Sequence, residues 1–513
     1  MRSLLLSIAL LIMPGMASAQ SHFTRINPPG PHAVGLRVVE QYDKSRGYRG
    51  ATDPFTGKPT EGERARPVQT LIWYPADKAT GRATSAGDYM RLGGTSDSFP
   101  AQAAERARLE ARYVQSRTGT LPPDRAKAEL SAPMLAKRDA TASSGKFPVI
   151  IYAPSYRAPA FENADLAEFL ASQGYIVIAS PSTGQSMEGM NDDLEGVQTQ
   201  MGDIQFLIGF AHLLPNADTE RLAVIGYSWG GLANVMAAAK DSRIDALVSL
   251  DGSVRSYPDV IEQSRFLTPD RITVPMLYVA ATPRHLEDLP SDMNAERSFL
   301  NKMKYADLYR VTLAPYVHSN FSVMGQRFLP DGAYGDYDKD ELSVANAWLE
   351  TYVRRFLDGY LKDDAAARAF LELPASQTEA PAHLFTLYRT KAQGAPPSRA
   401  AFAAELARRG FQQASAIYGA WRKRDPGFAL SERDLNSWGY ALLGDGEVEG
   451  AVAILRLAAE LHPDSWNAFD SLGEAYARAG MKAPAIEAYR KSLSLNPANR
   501  GAIDQLARLG VKP

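Results

Sequence analysis

The segment Arg221–Lys240 reads RLAVIGYSWGGLANVMAAAK, with Gly226-Tyr227-Ser228-Trp229-Gly230 at its centre. The apolar run Leu222–Ile225 precedes that pentapeptide, and a stretch rich in Gly, Leu and Ala follows it. Strand, sharp turn and helix form the context in which G-x-S-x-G presents a serine as a nucleophile. The turn strains the backbone at Ser228, so the residues two before and two after it, Gly226 and Gly230, must be tiny. The helix that starts there points free N–H groups toward any anion that develops. The chemistry implied is attack of an activated hydroxyl on an acyl carbon.

A serine hydroxyl needs a base, and the chain has seven histidines. In α/β hydrolases the order along the chain is Ser, acid, His, which removes His22, His32 and His212. His462 falls in a repeat turn whose sister position is Asn496, so it reads as structural. His383 lies past the last core helix. His285 follows the run Met276–Ala280, where this fold more often places an acid. His318 lies in APYVHSNFS, after Leu308–Leu313, the run read as the last strand. A loop at the carboxyl edge of the sheet is where the base belongs, and His318 is favoured.

The acid must orient the imidazole and stabilise the imidazolium. Asp251 ends the run Ala246–Leu250, in SLDGS, close to the elbow. Asp288 and Asp292 follow the next strand, the more usual position in this fold. The residues alone leave this choice open. One oxyanion donor is the amide after the nucleophile, that of Trp229; a second comes from the loop after Val149–Tyr152, here Ala153-Pro154-Ser155-Tyr156.

Leu250-Asp251-Gly252 and Val317-His318-Ser319-Asn320-Phe321 resemble the acid and base segments of one α/β-hydrolase branch, the platelet-activating-factor acetylhydrolase-like and dienelactone-hydrolase-like enzymes. The resemblance spans about residues 65–360. It implies Asp251 as the acid, His318 as the base and the Tyr156 amide as the second oxyanion donor. Similar enzymes often carry His-Gly where this chain has Pro154-Ser155, so the local turn departs from the pattern. Tyr156, Trp229 and Tyr227 would add aromatic surface around an acyl pocket; for Tyr227 packing is the preferred role.

The elements that must position these residues follow from periodicity. Ala33–Glu40 and Val68–Tyr74 alternate like antiparallel strands. Val149–Tyr152, Ile176–Ala179, Leu222–Ile225, Ala246–Leu250, Met276–Ala280 and Leu308–Leu313 are short apolar runs of buried parallel strands. Helical patterns lie between them at Asn163–Gln173, Gln198–Leu214, Gly231–Lys240 and Asn294–Met303, and Val344–Asp358 closes the series. The alternation predicts a doubly wound, mostly parallel α/β sheet. Residues 77–146 break the rhythm as an insertion with a helix near Gln102–Gln115; a cap over a pocket and a solvated excursion both fit it.

Beyond a linker at 393–399, residues 400–513 are all helix, with a repeat at an offset of 34: Gly439 and Gly473, Gly446 and Gly480, Ala451 and Ala485, Pro463 and Pro497. This spacing resembles tetratricopeptide repeats. A structural or self-associating role is slightly preferred over a groove for a protein partner.

Composition narrows the classes. The chain has 513 residues, no Cys, 45% hydrophobic and 22% charged residues, and a formal net charge of −2. Thiol nucleophiles, disulfide scaffolds and lipoprotein anchors are excluded, and near-neutral charge argues against a nucleic-acid partner. No phosphate-binding glycine loop and no metal-ligand motif is present, so no cofactor and no metal are expected. The acidic stretches Glu188–Glu195 and Asp331–Glu341 read as solvated loops. Met1-Arg2, the apolar Leu4–Met13 and Ala17-Ser18-Ala19 form a secretory leader, residues 1–19. Its core is too short to span a bilayer. Export to periplasm or medium, without a membrane span after cleavage, is expected. The hydrolase region then covers residues 20–392. Serine-dependent ester hydrolysis is the leading reading; amide cleavage by the same residues and a weakly active scaffold are the alternatives.

Overall fold

The computed structural model describes residues 23–78, 80–281, 298–328 and 336–512. The leader expected at 1–19 lies outside them. No helix among the described residues is long and apolar enough to cross a membrane. The chain divides into two compact units, Met1–Gly394 and Ala395–Pro513.

The first unit is built on an 11-stranded sheet. Its strands are β1 (Ala33–Gly47), β2 (Ala65–Ala76), β3 (Arg82–Ser85), β4 (Pro133–Arg138), β5 (Phe147–Ala153), β6 (Ile176–Ala179), β7 (Ala217–Tyr227), β8 (Ala246–Leu250), β9 (Met276–Ala281), β10 (Leu308–Leu313) and β11 (Phe385–Thr390). Their spatial order is β11-β10-β9-β8-β7-β5-β6-β2-β1-β4-β3. Strands β5 to β10 run parallel, while β2 is antiparallel to β6 and β1 to β2. This is the topology of the α/β hydrolases. The apolar runs are continuous because both faces of the sheet are covered. Val149 and Ile151 face one core, with helices α5 (Leu194–Ala211) and α6 (Trp229–Ala238). Ile150 faces the other, with α4 (Ala164–Ser172) and the Lys339–Leu361 helix.

Two expectations need correction. Leu308–Leu313 is not the last strand: β11 pairs antiparallel with it, in register Leu313↔Phe385. Phe385–Thr390 is half exposed, so it lacks the apolar run that marks a buried strand. The 77–146 segment does not simply leave the sheet. Its strand β4 adds in parallel to β1, and β3 adds to β4. Between them lie helices α1 (Ala86–Leu92), α2 (Ala103–Thr118) and α3 (Pro123–Ser131). The buried Glu168 carboxylate fastens this segment, accepting from the Leu135 amide at 2.7 Å and the Tyr89 hydroxyl at 2.7 Å.

The second unit is helical. Glu432–Gly444 and Val448–Leu461 are followed, each 34 residues on, by Trp466–Arg478 and Lys482–Leu495. Small residues sit where paired helices touch: a Cβ on Gly439 would come within 2.4 Å of Leu455, and one on Gly473 within 2.8 Å of Tyr489.

Candidate active site

Strand β7 ends at Tyr227 and α6 begins at Trp229, leaving Ser228 alone in the turn at φ 53°, ψ −116°. A side chain disfavours that conformation, and the surroundings enforce it. The Ser228 amide donates to Leu250 O at 3.0 Å, and its carbonyl accepts from Ser253 N at 2.8 Å. The flanking glycines answer to contact. A Cβ on Gly226 would lie 2.2 Å from Gly230 O, and one on Gly230 would lie 2.0 Å from Ala153 O. No side chain fits either gap.

His318 follows β10 in a short turn, His318–Phe321. Its Nε2 is 2.9 Å from Ser228 Oγ, and its Nδ1 is 2.6 Å from Asp251 Oδ2. An ionised carboxylate only accepts, so Nδ1 carries the proton and Nε2 is free to take one from the serine. Asp251 is shielded and His318 is open: side-chain exposure is 10% for the one and 55% for the other. Asp251 also sits at positive φ, 43°. Its Oδ1 accepts from the Ala281 amide at 3.2 Å, and the Arg255 guanidinium is 3.5 Å away. The alternatives His285, Asp288 and Asp292 lie outside the described residues.

Tyr227 does more than pack. Its buried hydroxyl donates to the His318 carbonyl at 2.7 Å, holding the base loop from beneath. Burial pushes this phenol far above its ordinary pKa, with the Glu162 and Asp251 charges adding to the effect, so it stays a donor. Asn320 reinforces the loop, accepting from Val317 N at 2.7 Å.

On the other flank, the loop after β5 carries Ser155 and Tyr156. As the first residue of its helix, Trp229 has an amide with no intrahelical carbonyl to bond. The Ser155 amide, by contrast, is taken: it donates to Glu162 Oε2 at 2.8 Å, and the Ser155 hydroxyl donates to Oε1. Tyr156 is 39% exposed, and its ring meets Trp229 edge-on at 5.8 Å. The Trp229 side chain itself is 2% exposed, so it supports that wall and does not line an acyl pocket.

Glu162 was not foreseen. It is buried under the loop, and desolvation pushes its carboxyl up to about 7, against the hydrogen bonds from Ser155 and Tyr152 and the charge of His318. Asn163 beside it donates to Tyr152 Oη at 2.6 Å and accepts from Val323 N at 3.0 Å. The Glu162 carbonyl accepts from Met324 N at 3.3 Å. These two residues tie the loop after β5 to the chain just beyond His318. Nothing in APAFENADL marks them, since their partners are distant in sequence.

The family model for X-Pro dipeptidyl-peptidase (S15 family) matches residues 123–328, a stretch that contains Ser228, Asp251 and His318. A ferulic acid esterase from Streptomyces cinnamoneus is a structural neighbour with a TM-score of 0.49 and 18% identity, over 72% of this chain and 99% of that one. No curated protein matches the chain. The sheet topology and the family match support a serine hydrolase of the α/β class.

Proposed function

We propose that this protein hydrolyses carboxylic esters through an acyl-enzyme on Ser228. The observation that carries the reading is the unbroken relay of Asp251, His318 and Ser228, at 2.6 and 2.9 Å. His318 Nε2 takes the hydroxyl proton as Ser228 Oγ attacks the ester carbonyl. Asp251 holds the imidazole in the required tautomer and stabilises the imidazolium. The carbonyl oxygen, now an anion, is held by the Trp229 and Tyr156 amides, each donor contributing about 3 kcal/mol in the transition state. The imidazolium then gives its proton to the departing alcohol oxygen. Water, deprotonated by the same imidazole, attacks the acyl carbon; the bond to Ser228 Oγ breaks, the imidazolium returns the proton to Oγ, and the acid is freed.

A second reading keeps these residues and cleaves an amide, as the S15 match favours. An amine must be protonated to leave, whereas an alcohol of ordinary acidity departs more readily. A panel of esters and matched amides, X-Pro amides included, separates the two. Under either, Ser228→Ala abolishes turnover and labelling by a fluorophosphonate. Full activity in that variant sinks both.

We further read residues 1–19 as an export leader and the second unit as tetratricopeptide-like repeats. The identical 34-residue displacement of two helix pairs supports the latter.

A further inference from the structure

Strand β5 ends at Ala153, and Pro154, Ser155 and Tyr156 follow it. Pro154 has no N–H, and the Ser155 amide is held by Glu162. The next amide is that of Tyr156, which has no hydrogen-bond partner among the described residues. The Ser155 carbonyl accepts from the Ala158 amide at 3.1 Å, closing a turn around Tyr156 and Arg157. Where the Tyr156 N–H points then follows from the peptide unit in front of that turn, Pro154–Ser155. This unit is gripped at both ends. Its N–H donates to Glu162 Oε2 at 2.8 Å, and its carbonyl, Pro154 O, accepts from Gln200 Nε2 at 2.6 Å. A peptide unit is planar, so holding its two ends fixes its rotation about the chain. The elbow closes on the same carbonyl: a Cβ on Gly230 would lie 2.7 Å from Pro154 O.

Gln200 lies on α5 and is buried. A carbonyl oxygen only accepts, so the amide turns its Nε2 to Pro154. Its Oε1 has no hydrogen-bond partner among the described residues. Burying that oxygen unpaired is unfavourable, and an apolar side chain would avoid it. The bond to Pro154 O is what this side chain supplies in return. The helix turn that carries it is itself fixed. Asp203, three residues on, pairs with the buried Arg66 of β2 at 2.6 Å. Arg66 also donates to the Thr183 and Gly184 carbonyls, at 3.0 and 2.6 Å. These open the loop whose Met190 carbonyl accepts from the Tyr156 hydroxyl. One face of α5 therefore holds Tyr156 twice, its main chain through Gln200 and its side chain through Asp203 and Arg66.

We propose that Gln200 is a positioning residue for the oxyanion donor: by holding Pro154 O, it turns the Tyr156 amide toward the carbonyl oxygen of an acyl group at Ser228. The proposal rests on the reading of Ser228 and Tyr156 given above. Gln200 touches no reacting atom. Its effect is felt when negative charge develops on the substrate oxygen, and not when neutral substrate binds.

Gln200→Met tests this, because Met fills similar space and offers no amide donor. Two ligands report on the donor: benzyl trifluoromethyl ketone and benzyl methyl ketone. With the first, Ser228 Oγ bonds to the carbonyl carbon, the π pair becomes an oxyanion, and His318 Nε2 takes the hydroxyl proton. The second binds as a neutral carbonyl. Calorimetric titration of Gln200→Met is expected to weaken the trifluoromethyl ketone by about tenfold or more and to leave the methyl ketone within about twofold. On phenyl acetate the same variant loses about tenfold in kcat at a KM within about twofold of wild type. A residue that only stabilises the fold would lower the urea midpoint and leave the ratio of the two ketone affinities unmoved. That ratio unmoved in folded Gln200→Met overturns the proposal and leaves the ester reading intact. If the Met variant does not fold, Gln200→Asn, which keeps the amide but falls one methylene short, is read in the same way; if neither folds, the proposal is rejected. A wild type that hydrolyses no ester but prefers the trifluoromethyl ketone, with the preference lost in the variant, sinks the ester reading and sustains the proposal. A wild type without that preference rejects the proposal, whatever its turnover.

Discussion

The two flanks of Ser228 are held in place by different means. On the nucleophile side, backbone does the positioning. Ser228 is pinned by Leu250 O and Ser253 N, and glycines let main chain touch main chain at Gly226 and Gly230. On the side of the proposed oxyanion donors, a buried side chain does it: Glu162 gathers the Ser155 amide and hydroxyl and the Tyr152 hydroxyl. Main-chain contact requires particular small residues at fixed spacing, so it writes a motif. A carboxylate reaching across the fold requires only that its partners arrive, so it writes none. The backbone contacts of the first flank involve no titrating group, whereas the second contains a carboxyl pushed up to about 7.

The largest effect short of removing the nucleophile is expected at Asp251. Asn there keeps the shape but can present an N–H to Nδ1, which favours the wrong tautomer. A fall in kcat of roughly 10⁴-fold is expected, with little change in KM. A modest loss would mean that another carboxylate serves, and Asp288 and Asp292 are then the residues to replace.

Gly230→Ala comes next, and it bridges the two flanks. The added Cβ would meet Ala153 O at 2.0 Å, so either α6 or the oxyanion loop must move. A stability loss of about 3 kcal/mol and a drop in kcat of about 10²-fold are expected, measured by urea unfolding and steady-state kinetics. Unchanged kcat in a destabilised variant would show that the loop after β5 holds its place independently of the elbow.

This contrast explains what was legible in the sequence. The parallel strands were readable because burial on both faces makes continuous apolar runs, as at Val149–Tyr152 and Met276–Ala280. The elbow was readable because its glycines are obligatory. The 34-residue helix pairs were readable because Gly439 and Gly473 leave room for Leu455 and Tyr489. Strand β11 was not, since an edge strand with one solvated face lacks that run. Strand β3 was hidden by the short, polar RATS, and β4 by the shortness of PMLAKR, which opens on Pro and closes on two cations. The hydroxyl of Tyr227 leaves no mark in the sequence, because it is aimed at a main-chain carbonyl.

Glu162→Gln probes the second flank at smaller scale. Gln keeps one acceptor oxygen but replaces the other with a donor, so the Ser155 hydroxyl must turn from donor to acceptor and a weaker neutral bond replaces the one to the carboxylate. A fall in kcat of about tenfold is expected, from roughly 1–2 kcal/mol of lost positioning. Stability supplies the second readout. The folded carboxyl holds its proton up to about 7 against an ordinary 4.5, so the folded state binds the extra proton between those values. Stability from this group is therefore full below about pH 4.5 and is lost as pH rises through about 7. The Gln variant should show a shallower decline in urea midpoint between pH 5 and 8. Part of the slope remains, because Glu168 and Glu350 are pushed up to about 7 by burial as well. An identical slope in both proteins would remove Glu162 as a titrating support.

The smallest effect is expected at Tyr227, where Phe deletes one hydroxyl and leaves the ring. The His318 carbonyl loses the donor at 2.7 Å, while the contact with the Phe321 ring at 6.0 Å persists. One hydrogen bond of this kind is worth about 1 kcal/mol, and the base loop keeps its Val317–Asn320 bond. A three- to fivefold fall in kcat at unchanged KM is expected, because the base is displaced slightly while the substrate surfaces are untouched. Labelling separates this role from bulk stability. A displaced His318 slows fluorophosphonate labelling of Ser228 under native conditions, whereas a merely destabilised fold lowers the urea midpoint and leaves that rate in place. If Phe lowers KM and kcat together, the hydroxyl acts on the substrate surface, and the division between a backbone-held nucleophile and a side-chain-held oxyanion loop would no longer describe the site.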